Sequence, residues 1–114
     1  MEDCLFCKII AGQIPSQKVY EDEQMLAFRD IDPQAPEHIV IVPKEHIASA
    51  NEITGENSGV IAHIFAVIPQ IVKQLGIAEQ GYRIVNNCGE NGGQTVNHLH
   101  FHLMGGRAFV WPAG

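Results

Sequence analysis

The chain has 114 residues, of which 46% are hydrophobic and 18% charged, a balance that predicts one folded domain over 1–114 and excludes a disordered chain. Thirteen acidic against seven basic side chains give a net charge of −6, which argues against a nucleic-acid polymer or an anionic membrane surface as partner, since both need a cationic footprint. No apolar run approaches the roughly 18 residues of a membrane span, and the opening MEDCLFCKII is acidic where a secretory signal is basic, so a cytoplasmic location is expected.

In chain order, Cys4 to Gly12 pairs Leu5 with Ile9 and Phe6 with Ile10 at i, i+4 and ends in glycine, the pattern of a short helix. Lys18 to Glu21 and Met25 to Arg29 read as two strands joined by the acidic turn Asp22-Glu23-Gln24, after which Asp32-Pro33-Gln34-Ala35-Pro36 breaks the chain. His38 to Val42 (HIVIV) is a β-branched run too short for a helix, hence a buried strand ended by Pro43. From Ser58 to Leu75 apolar residues recur at three and four positions, which predicts one long helix. Pro69 lies inside it and is expected to remove one backbone bond and kink it, with Gly76 as the stop. Tyr82 to Asn87 reads as a fourth strand, Cys88 to Gln94 as a loop and Thr95 to Met104 as a fifth strand. Closely spaced strands beside one long helix predict an α+β fold with an antiparallel sheet.

The chemistry concentrates in His98-Leu99-His100-Phe101-His102, where polar and apolar residues alternate. On a strand this puts three imidazoles on one face, neighbours about 7 Å apart at Cα, and sends Leu99, Phe101 and Leu103 to the core. One metal could take two such rings but hardly three; a merely solvated histidine-rich face is the plain alternative.

This string, with CLFCKIIAGQIPSQKVYEDE, FRDIDPQAPEHIVIVPKEHI, NCGENGGQTVNHLHFHLMGGR and the terminal WPAG, resembles the histidine-triad (HIT) family, and the loop and tail are most similar to its Hint branch of purine nucleoside phosphoramidases. The resemblance implies a five-stranded antiparallel sheet with a short N-terminal helix and one long helix, paired in a homodimer into ten strands, and a purine nucleotide of AMP or GMP type as ligand. It implies that His100 attacks the α-phosphorus to form a nucleotidyl-histidine that water hydrolyses, that His102 contacts the phosphate, and that His38 is the upstream catalytic histidine; a structural strand-end role is the alternative for His38. A neutral imidazole is nucleophilic at pH 7, with its other nitrogen held by an acceptor such as a backbone carbonyl. Backbone groups of Gly89 to Gln94, Gly93 among them, together with Thr95 and Asn87, would meet the phosphate. Asp30 would accept the ribose hydroxyls, and Leu5, Phe6, Ile9, Ile14, Phe28 and Ile31 would frame the base, or serve as ordinary core. Trp111 would reach the partner's site, or simply anchor the tail. Thr95 stands where the branch commonly has serine and Asn97 where an aromatic is frequent. A regulatory nucleotide-binding protein with little turnover and a dinucleoside polyphosphate hydrolase are the competing functions.

Cys4-x-x-Cys7 has metal-ligand spacing, with His46 and His98 as natural completions of a tetrahedral zinc site. Family members with this cysteine pair are similar to zinc-bound versions of the fold; two buried thiols are the alternative, and no βαβ pattern supports a thioredoxin-like role. No organic cofactor is expected. Cys88 reads as a free thiol and His63 as a surface residue.

Overall fold

The computed structural model describes residues 3–114. Its elements are α1 (Leu5–Ile10), β1 (Lys18–Glu21), β2 (Met25–Arg29), β3 (Glu37–Pro43), α2 (Gly59–Leu75), β4 (Tyr82–Val85), α3 (Gly89–Gly92) and β5 (Phe101–Gly105), with one 3-10 turn at Ala50–Glu52. All five strands join one antiparallel sheet in the order β1-β2-β3-β5-β4. The α+β architecture expected from the sequence is the one observed.

The two central apolar runs, MLAF and HIVIV, are continuous because the sheet is covered on both faces. Met25, Ala27, Ile39, Ile41, Leu99, Phe101 and Leu103 pack with α2 through Ile64, Ile68, Ile71 and Val72. The alternate residues Leu26, Phe28, Val40 and Val42 turn to the opposite face, beneath Phe6 and Ile9 of α1. The period-2 register of β5 then sends His102 to the α1 side.

Two expectations change here. The fifth strand begins at Phe101 rather than Thr95, because the chain at Leu99 hooks its N–H onto the Ile47 carbonyl at 2.6 Å and His98 reaches the Pro43 carbonyl. The fourth strand ends at Val85, where Asn86 turns its amide onto the His100 carbonyl at 2.9 Å. Pro69 leaves α2 continuous from Gly59 to Leu75. The backbone bond it cannot make belongs to the carbonyl of Phe65, and both residues are exposed. Gly76, in the left-handed region at φ 76°, closes α2 by returning its N–H to the Lys73 carbonyl while the N–H of Ile77 returns to Val72.

Candidate active site

A cavity of about 610 Å³ opens on the α1 side of the sheet. Leu5, Phe6 and Ile9 of α1 and Ile14 after it line one part, Phe28 and Val40 of the sheet another, and Asp30, Thr95, His100 and His102 supply polar groups. Ile31 is fully exposed at the rim. Pro15, Ser16, Gln17, Arg29 and Val96 also line the cavity; nothing in their spacing marked them, because long-range register brings them there. The Arg29 guanidinium is paired with Glu37 at 3.1 Å, so its charge is already answered.

His100 is 3% exposed, which excludes a solvated histidine face. Its Nδ1 donates to the carbonyl of His98 at 2.7 Å. That bond fixes the hydrogen on Nδ1 and leaves Nε2 with a lone pair, the form a nucleophile needs. Phe6 stands edge-on to the ring, centroids 4.9 Å apart, and His102 lies 5.1 Å away on the other side.

A second hydrogen-bond chain fixes His102. The Gln34 N–H donates to Nδ1 of His38 at 3.0 Å, so His38 carries its hydrogen on Nε2. That Nε2–H lies 2.9 Å from Nδ1 of His102 and 3.4 Å from Oδ2 of Asp30. His102 therefore accepts at Nδ1 and holds its own hydrogen on Nε2, the ring nitrogen free to donate. Burial, the largest influence on each, pushes both histidines below the usual imidazole range; for His102 the neighbouring imidazoles add to it. Both are neutral at pH 7. Asp30, His38 and His102 also lie within metal-binding reach of one another. A neutral imidazole bound to metal through Nε2 needs its hydrogen on Nδ1, however, and at His38 that nitrogen already accepts from Gln34. Hydrogen bonds instead order the trio, His38 standing between Gln34 on one side and His102 and Asp30 on the other.

In the glycine loop the N–H groups at Gly89, Gly93 and Gln94 bond to the Gln94 side chain, the Glu90 carbonyl and the Gly89 carbonyl. The Gln94 amide also donates to Ala48 and Val96 carbonyls at 2.8 and 2.9 Å and works as a brace. Gly89 and Gly93, at φ 74° and 82°, are there to start and end the single turn of α3. Gln94, Gly93 and Asn87 lie outside the cavity lining, whereas Thr95 is in it. Trp111 is 84% exposed and also outside it. The segment before Trp111 is tied down by Arg83, which donates to the Val110 carbonyl and, with Arg107, stacks on Phe109.

Behind α1 lies a second cluster. Cys4 Sγ is 3.2 Å from Nδ1 of His98, Cys7 Sγ is 3.4 Å from Nδ1 of His46, and the two Nδ1 atoms are 3.2 Å apart. A metal with bonds of about 2.0–2.3 Å in tetrahedral geometry spaces such donors by about 3.3–3.8 Å. The orientation fits as well: His98 donates Nε2–H to the Pro43 carbonyl at 2.8 Å, leaving Nδ1 as a lone pair aimed into the cluster. Burial and the neighbouring Cys4 push the Cys7 thiol up, so metal binding here displaces protons. These four side chains could hold a metal ion. Cys88 is a free thiol at the start of α3. His63 is more than a bare surface residue, since its Nε2 bonds Asp22 at 2.7 Å.

A sheet of this order, with alternate histidines turned to a nucleoside-sized cavity beneath a short helix, defines the class of histidine-triad nucleotide-binding folds. The chain belongs to the HIT domain family, whose pattern matches residues 11–109. It is 46% identical to the purine nucleoside phosphoramidase of Escherichia coli K12 over 106 residues, 93% of this chain and 89% of that protein. An uncharacterized HIT-like protein of Synechococcus elongatus is 50% identical over 99% of this chain and 98% of its own length. The HIT family hydrolase of Legionella pneumophila superposes with a TM-score of 0.95 at 48% identity, covering 98% of this chain and 100% of that one. A histidine triad protein of Clostridium difficile gives 0.93 at 47%, covering 96% of each.

Proposed function

We propose that this protein hydrolyses purine nucleoside 5′-phosphoramidates, releasing an amine and a nucleoside monophosphate through a covalent intermediate on His100. The observation that carries the reading is the bond from Nδ1 of His100 to the His98 carbonyl, which leaves Nε2 unprotonated in a residue lining the cavity. Nε2 attacks phosphorus and the P–N bond breaks, the leaving nitrogen taking its proton from solvent. Water then attacks the same phosphorus, losing a proton to solvent, and the bond to Nε2 breaks to return the imidazole. His102, neutral and with its hydrogen on Nε2, donates to a phosphoryl oxygen, where charge builds in both transition states. His38 acts through His102, holding it as an Nδ1 acceptor. Asp30 is suited to receive the ribose hydroxyls, and the apolar side chains of α1 with Phe28 are suited to sandwich the base. The similarity to a HIT family hydrolase and to a purine nucleoside phosphoramidase supports this reading.

Cys4, Cys7, His46 and His98 would hold zinc in a closed Cys2His2 set, where the ion supplies structural cross-linking and no open coordination position. A homodimer is supported by the free edge of β4 and by the exposed residues Ala62, Phe65, Ala66 and Pro69 along α2; Trp111 of the partner subunit would then complete the cavity. Mass spectrometry of protein quenched during turnover of adenosine 5′-phosphoramidate tests the mechanism. A nucleotidyl adduct on His100, absent in His100→Ala together with turnover, is expected. Undiminished hydrolysis by that variant would falsify the assignment and leave nucleotide binding as the function.

A further inference from the structure

The cavity's two ends are anchored by different means. At the histidine end, residues 98 to 100 are held by the Leu99 N–H on Ile47, the His98 ring on Pro43 and the Asn86 amide on His100, none of which involves α1. At the other end the wall is α1 itself, and a helix of six residues is far below the roughly 12–15 needed to persist unaided. Its fastenings are the burial of Phe6 and Ile9 and the contacts of Cys4 and Cys7 with His46 and His98. Cys4 is also the N-cap, its sulfur accepting the Cys7 N–H at 3.3 Å. The same turn thus carries two candidate metal ligands and, through Leu5 and Phe6, part of the cavity wall.

From this arrangement we infer that the Cys4–Cys7–His46–His98 cluster is an effector site: a bound transition metal fastens α1 and thereby sets affinity for the nucleoside, while leaving the β5 ladder from Phe101 to Gly105 unchanged. The inference rests on the nucleotide reading above. A metal at the cluster and a nucleoside in the cavity both favour the docked α1, so each tightens the other by one common factor. With three apolar side chains on α1 facing the cavity, a factor of about ten is expected, within the usual span of such couplings.

The test uses the full chain, loaded with zinc or stripped by chelation, with metal content measured each time. AMP should bind the loaded protein about tenfold more tightly, and AMP should raise zinc affinity by the same factor in a chelator competition. Amide exchange should quicken at residues 5–10 on stripping and stay unchanged at 101–105. His46→Ala, which removes a ligand lying outside both α1 and the cavity, should bind AMP like stripped wild type even with zinc present. Equal AMP affinity with and without zinc overturns the coupling and leaves the proposed function standing. Loss of protection across β5 as well as α1, or failure to take up zinc, overturns it too. If the loaded protein does not bind AMP at all, the nucleotide reading itself falls.

Discussion

Replacing Phe6 with alanine separates the roles that meet at one ring. Phe6 is 7% exposed and stands edge-on to Phe28, His98 and His100 at centroid distances of 5.7, 6.0 and 4.9 Å. Truncating a packed phenylalanine costs about 3–5 kcal/mol, which already includes such edge contacts. The ring borders the cavity on one side, so the lower end, about 3 kcal/mol, applies to folding. A purine stacked against an aromatic ring gains about 1–3 kcal/mol, so losing the ring should raise KM for adenosine 5′-phosphoramidate about tenfold. The His100 tautomer is fixed by the His98 carbonyl and not by Phe6, so kcat should stay within about threefold. Urea denaturation and steady-state kinetics on Phe6→Ala measure both quantities. A kcat reduced more than about tenfold with KM unchanged would mean that the ring orients the nucleophile rather than the base, and the argument would fail.

Two other outcomes follow from the fold. Burial raises the Asp22 carboxyl, but hydrogen bonds from His63, the Gln24 N–H, Tyr20 and the Met25 N–H outweigh it and hold the group at about 2. A depressed carboxyl contributes stability above its unfolded value and loses it as pH falls from about 4 toward 2; after solvent screening this amounts to about 1 kcal/mol. Denaturation curves of wild type and Asp22→Asn should therefore differ at pH 6 and converge near pH 2, and a constant difference would refute the assignment. At Gly105 an added Cβ would sit 2.7 Å from Cδ1 and 3.1 Å from Cβ of the buried Ile77. Gly105→Ala should cost about 1–3 kcal/mol and lower Tm by at least about 4 °C, with KM unaltered; an unchanged Tm would show that the Ile77 side yields freely.

What the sequence disclosed, it disclosed through period and punctuation. The strands Lys18–Glu21 and Met25–Arg29 have the expected bounds, and α2 begins one residue inside its expected span, because turn residues and the glycine stop act locally. The end of the fifth strand nearest the site was over-extended because alternation persists there while hydrogen bonding does not: Leu99 is buried on the α2 side just as a strand residue would be, yet its N–H belongs to Ile47. The turn of α3 was read as loop since three of its flanking and internal residues are glycines, poor helix formers on any scale. The histidines were legible as a set, but their division of labour was not. Whether a given imidazole offers a lone pair or a hydrogen is decided by the Pro43 carbonyl, the Gln34 N–H and the His98 carbonyl, all three backbone groups that no side-chain pattern marks. The same limit holds for the glycine loop, where the N–H groups of Gly89, Gly93 and Gln94 find partners within the loop itself.

The contact of Cys4 with His98 joins residues 94 apart. Closing so long a loop is entropically costly, and it cannot be rewarded until the chain near β5 is in place. During synthesis α1 emerges early: Phe6 and Ile9 can seat on Leu26, Phe28, Val40 and Val42 once β2 and β3 have paired, but Cys4 and Cys7 remain without His98 until the chain near β5 is in place. The cavity, which needs His100 and His102, is therefore among the last features to form, and mutations at Cys4 and Cys7 should act mainly on the unfolding rate rather than on folding, as contacts absent from the transition state do.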